Sequence, residues 1–133
     1  MRILALGILG LMLTACSMTK GYEGPSRGAD EVARVHAHGV TFKSVNGIDV
    51  GSVSSGLEIP PGETEIRLLV NASNFNARGI DHSDYLLRMV AEAGREYSVT
   101  GKRGHRRLCA FPLNENTGQP EFDRPAGCIV STR

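Results

Sequence analysis

The chain has no tryptophan, and aromatic residues fill only 5% of its 133 positions. Stacking surfaces for sugars or bases are built from such rings, so that kind of binding is disfavoured. Neither G-x-x-x-x-G-K nor G-x-G-x-x-G occurs, which removes the usual phosphate-cradling loops. C-x-x-C is also missing, which argues against a dithiol redox centre. No apolar run approaches the roughly 20 residues that a spanning helix needs. Neither sign of charge dominates: 15 basic and 14 acidic side chains leave a formal net charge of +1. A chain this balanced sets up no overall field to draw nucleic acid. Together these absences leave no catalytic constellation, no cofactor and no nucleic-acid partner, and they point to a non-enzymatic protein.

What is present begins at the N-terminus. Arg2 is followed by 11 apolar or glycine residues, 3–13. A basic start and an apolar core of about 7–15 residues fit a secretory signal peptide. The core ends in Leu13-Thr14-Ala15-Cys16. This resembles a bacterial lipobox, in which a thiol takes diacylglycerol and cleavage then makes the cysteine the first residue. Two or three acyl chains exceed the threshold for stable anchoring. The plainer reading is an ordinary signal peptide with a chance cysteine. Ser17 resembles the outer-membrane class of such lipoproteins rather than the class retained at the inner membrane by Asp. The expected address is the cell envelope, lipid-anchored at the outer membrane and facing the periplasm, with the bilayer engaged through acylated Cys16.

Removing residues 1–15 takes away Arg2 and no acid, so the mature chain carries 14 side chains of each sign. Cys109 and Cys128 then remain as an even pair in an oxidising compartment. They are either two free thiols or a disulfide closing a loop of about 20 residues, worth about 3 kcal/mol on loop-closure grounds. The enclosed segment AFPLNENTGQPEFDRPAG holds three prolines, two glycines and three amides. Apolar burial alone gives it little hold, which favours a staple.

Residues 16–30 lack periodicity and read as an acylated N-terminus and flexible tether with a reach of about 45–50 Å. Tyr22 is the residue able to pin part of it to the domain, which is expected over 31–133. There the period becomes two. EVARVHAH sets Ala33, Val35 and Ala37 against Val32, Arg34, His36 and His38, and VTFKSV sets Val40, Phe42 and Ser44 against Thr41, Lys43 and Val45. Asn46-Gly47 between β-branched residues is a strong hairpin signal. Pro60-Pro61-Gly62 is a turn, and Ile66, Leu68 and Val70 alternate with Arg67, Leu69 and Asn71. YLLRMVAEAG and REYSVTGKR read as a strand pair turning at Ala93-Gly94, and RRLCAFPL and AGCIVSTR as two last strands. Seven to eight short strands predict an all-β, small antiparallel β-sandwich or barrel.

The ordered set Asn46-Gly47-Ile48, Pro61-Gly62-Glu63, Ile66, Leu68, Val70, Ala93-Gly94 and Tyr97 resembles small bacterial envelope lipoproteins with PEGA-like domains. The leader GYEGPSRGADEVARV resembles theirs as well. The likeness covers about residues 21–100. It implies a surface β-sandwich without catalytic residues. The chain departs from that pattern in its two-cysteine tail, and in Glu63 where a His often follows Pro-Gly.

Four candidate sites remain. His36 and His38, two apart on a strand, can begin a metal site with His82 and His105, or simply face solvent. Lys102, Arg103, Arg106 and Arg107 around His105 are a candidate anion-binding patch, or a solvated hairpin blunting a sheet edge. Asp81, His82, Ser83 and Asp84 hold triad letters, but triad members converge from distant segments and a polar turn is simpler. Asn71-Ala72-Ser73 matches a glycosylation sequon that a bacterial lipoprotein has little use for. The function expected is a structural or accessory role, docking another envelope protein; the alternative is anionic-ligand or glycan binding through the 101–107 hairpin.

Overall fold

A computed structural model describes residues 18–70, 84–101 and 108–130. The described residues contain ten strands: β1 (Thr19–Lys20), β2 (Ala33–Ala37), β3 (Val40–Val45), β4 (Ile48–Val53), β5 (Gly56–Ile59), β6 (Gly62–Val70), β7 (Asp84–Ala91), β8 (Glu96–Gly101), β9 (Leu108–Pro112) and β10 (Gly127–Val130). They form one sheet in the order β1-β5-β2-β8-β9-β10-β7-β6-β3-β4. The expected all-β, mostly antiparallel architecture is present, with ten strands instead of seven or eight. The two additions are β1, only two residues long, and β5, four residues beginning with Gly56; neither is long enough to display a period. Pairing is antiparallel except for β1 with β5 and β2 with β8.

The sheet curls until β1 touches β4, giving a barrel-like sandwich. β10 makes the corner between the layers. Its Gly127 and Cys128 pair with Ala110 and Cys109 of β9, while Ile129 and Val130 pair with Leu87 and Leu86 of β7. Gly127 is required there, because any Cβ would run into the Arg88 carbonyl and come within 2.7 Å of Met89 Cα. Strands that switch partners in this way are how sheets turn corners.

The core follows the expected alternation. Thr64, Ile66, Leu68 and Val70 of β6 point inward, against Val35, Leu87, Met89, Val99 and Leu108 from other strands. Burying each large aliphatic side chain stabilises the fold by about 1.5–3 kcal/mol. In β3 the alternation breaks. A bulge between Phe42 and Ser44 inserts one residue, so Val45 turns inward with Val40 and Phe42, and Ser44 turns out. Strict alternation had placed Ser44, not Val45, with the core residues.

Turn chemistry accounts for the reversals. Asn46 and Gly47 have φ of 50° and 83°, both positive as a two-residue I′ hairpin demands, and Val45 pairs with Ile48 across them. Gly62 has φ of 104°, the value expected after Pro61 in a type II turn. Gly94 also has positive φ, but β7 and β8 are not the hairpin pair expected. β7 pairs with β6 and β10, whereas β8 pairs with β2 and β9. The chain crosses between layers at Gly94, since Met89 and Ala91 on one strand and Tyr97 and Val99 on the other all face one core. Tyr97 fixes the crossing, its hydroxyl accepting the Glu92 N–H at 2.9 Å.

Successive strands alternate in direction throughout. The body therefore has two distinct ends. The connections 46–47, 60–61, 92–95 and 113–126 lie at one, here the turn end. The connections 38–39 and 54–55 lie at the other, the terminal end, together with Met18 and Val130.

Candidate functional site

The segment entering β1 is the part of the molecule nearest the expected anchor. From Met18 it is packed on the body; the sequence offered either a free tether or one pinned in part by Tyr22. Thr19 and Lys20 pair in parallel with Leu57 and Glu58, and the Gly21 N–H donates to the Glu58 carbonyl at 2.8 Å. The Met18 side chain lies over Gly56. Gly21 packs so closely that a Cβ would sit 3.0 Å from both Val45 Cγ2 and the Glu58 oxygen. Tyr22 follows, buried to 7% exposure, and its hydroxyl accepts the Arg27 N–H at 2.8 Å. The Lys20 and Arg27 cations stand 5.1 and 5.0 Å from its ring centroid. Lys20 also donates to the Gly24 carbonyl. A short parallel strand closes the gap between β5 and β4, and one tyrosine keeps it there.

Cys109 and Cys128 face each other in register across β9 and β10, at disulfide distance. The segment they enclose is shaped by further contacts. The Asn114 side-chain oxygen accepts the Asn116 and Thr117 N–H groups, Leu113 bridges to Pro120, and Phe122 meets Phe111 edge to face with centroids 5.0 Å apart.

Of the two histidines only His36 lies in β2. β2 ends at Ala37, so His38 lies beyond it in an exposed turn, its N–H donating to the Val99 carbonyl. His36 lies 2.9 Å from Glu96 on the neighbouring parallel strand. No group of three or more His, Cys, Asp or Glu with metal-site geometry occurs among the described residues. Asp84 opens β7, while Asp81, His82 and Ser83 lie outside the described residues. So do Cys16, the sequon at 71–73, His105, and Lys102, Arg103, Arg106 and Arg107 of the basic patch. Gly101, the last residue of β8, pairs with Leu108, the first of β9.

An open groove of about 630 Å³ runs over the outer face of β3, β4, β6 and β7, lined by Lys43, Asp49, Glu65, Arg67 and Asp84. Lys43 donates to Ser52 and Glu65 pairs with Arg88. Charges of both signs mix along it, and they select no single class of ligand.

Comparison with known protein families, curated proteins and solved structures finds no match to this chain.

Proposed function

We propose that this chain is a non-enzymatic lipoprotein of the bacterial envelope, held by acyl chains on Cys16 and serving a structural or accessory docking role for another envelope protein. One observation carries the reading. Cys16 stands directly after an 11-residue apolar core that starts behind Arg2. That core is too short to span a bilayer and of the length that signal peptides use. Two features support it. The facing cysteines of β9 and β10 suit an oxidising compartment such as the periplasm. The first strand starts at Thr19, so a compact body follows the modified residue at once. Outer-membrane residence, facing the periplasm, belongs to the same proposal and rests on Ser17.

Replacing Cys16 tests the anchor. Wild-type protein should stay with membranes through high salt and leave only with detergent, whereas Cys16→Ala should remain unprocessed. Equal processing and partitioning of the two would sink the reading. Docking is tested by crosslinking in membranes: a partner recovered repeatedly supports it, and repeated absence of any specific partner removes it.

A second reading places an anionic ligand on the basic connection. It rests on the sequence, where four cations fall within the six residues 102–107. Under it, Arg106→Glu with Arg107→Glu should abolish binding of the acyl-free domain to anionic glycans or phospholipid vesicles. Unchanged binding would dismiss it.

A further inference from the structure

We propose that the terminal end of the body rests against the headgroup layer of the bilayer, with the turn end directed away; this rests on the lipoprotein reading above. The argument is one of chain length. Met18 already lies over Gly56, and Thr19 is already in register with Leu57. Only Ser17 separates Met18 from Cys16. Two Cα steps span at most about 7 Å, against the 45–50 Å expected of a free tether. The acylated residue is therefore confined to the immediate neighbourhood of the Met18 end of β1.

The register shows what else lies at that level. Thr19 pairs with Leu57 of β5, and His36 of β2 pairs with Gly56 of β5 on one side and Ser98 of β8 on the other. His38 and the link 54–55 lie past these pairs, on the side from which the chain enters. β6 delivers Val70 to the same end, next to Val40, and β7 starts there at Asp84. A nine-residue strand such as β6 puts about 27 Å between the two ends. A body held within 7 Å of a lipid by one end cannot present the other end to the same surface without unpairing β1.

The exposed chemistry of the described residues agrees with contact at headgroup depth. At the terminal end the exposed described residues include His38, Ser54 and Asp84, all polar. The two exposed large apolar side chains among the described residues, Val90 and Phe122, belong to the turn end. The described residues of the terminal end thus suit a polar headgroup layer.

The absence of tryptophan makes the test direct, because one introduced indole is the only one in the protein. The lipidated full-length mature protein is reconstituted into phosphatidylethanolamine–phosphatidylglycerol vesicles containing a headgroup-nitroxide lipid. Emission from His38→Trp or Ser54→Trp should fall more than twofold relative to nitroxide-free vesicles, and emission from Glu115→Trp should stay within about 10%. Using two positions at the terminal end guards against one variant failing to fold. Inserting 12 Gly/Ser residues between Ser17 and Met18 should erase the difference. Co-flotation with equal quenching at both ends, or stronger quenching at Glu115→Trp, overturns the orientation alone. Protein that does not float with vesicles overturns the anchor reading, and the orientation with it.

Discussion

Two irregular stretches of this molecule can be set side by side: the leader at 18–31 and the tail at 113–126. Neither has a period, both are rich in Gly, Pro and polar residues, and both reach the turn end of the body. They are held differently. The tail lies between facing cysteines and adds an Asn114 turn and a Phe111–Phe122 contact. The leader has no covalent link to the body beyond the chain itself. It depends on two residues of parallel pairing, one close glycine and one buried tyrosine flanked by cations. The tail shows how a segment poor in apolar burial is held by a crosslink. The leader shows how an aperiodic segment is held by sheet register and by Tyr22, the residue that the sequence offered as a pin.

The largest break in the comparison should come from the tail. Cys109→Ser with Cys128→Ser removes a crosslink over 19 positions and should cost about 3 kcal/mol. A thermal melt should drop by on the order of 12 °C, and added reductant should leave the double variant unmoved while lowering wild type. A smaller effect is expected from Gly21→Val, which forces a branched side chain against Val45 and the Glu58 carbonyl. About 2 kcal/mol is expected, and hydrogen exchange at 18–22 should rise far more than at β6. Smaller again, Tyr22→Phe keeps the ring and its cations but leaves the Arg27 N–H without its acceptor. About 1 kcal/mol is expected in a denaturant melt, confined to the leader. If the leader variants proved as costly as the cysteine pair, the two segments would not differ in the way described.

Much of the fold was legible because local chemistry and the core agreed. Asn46-Gly47 demanded positive φ and received it, and Ile66, Leu68 and Val70 kept period two along the longest strand. What stayed hidden was non-local. The parallel pairing of Thr19 with Leu57 leaves no periodic trace in two residues. The four residues of β5 are too few to declare themselves. The bulge after Phe42 depends on the facing strands β4 and β6, not on β3 alone. Gly94 announced a turn correctly, but whether a turn stays in its sheet or crosses to the other layer is settled by the opposing core. At the candidate site, setting Cys16 aside left the two cysteines that the fold brings together. The spacing of His36 and His38 carried no hint that β2 stops at Ala37, or that Glu96, 60 positions away, stands beside His36.

The most direct measurement is the intact mass of the protein extracted from membranes, before and after reduction. The account predicts a chain that starts at Cys16, carries two or three acyl chains, and gains two hydrogens on reduction. A chain that retains residues 1–15, or one cleaved there but free of acyl groups, would contradict it.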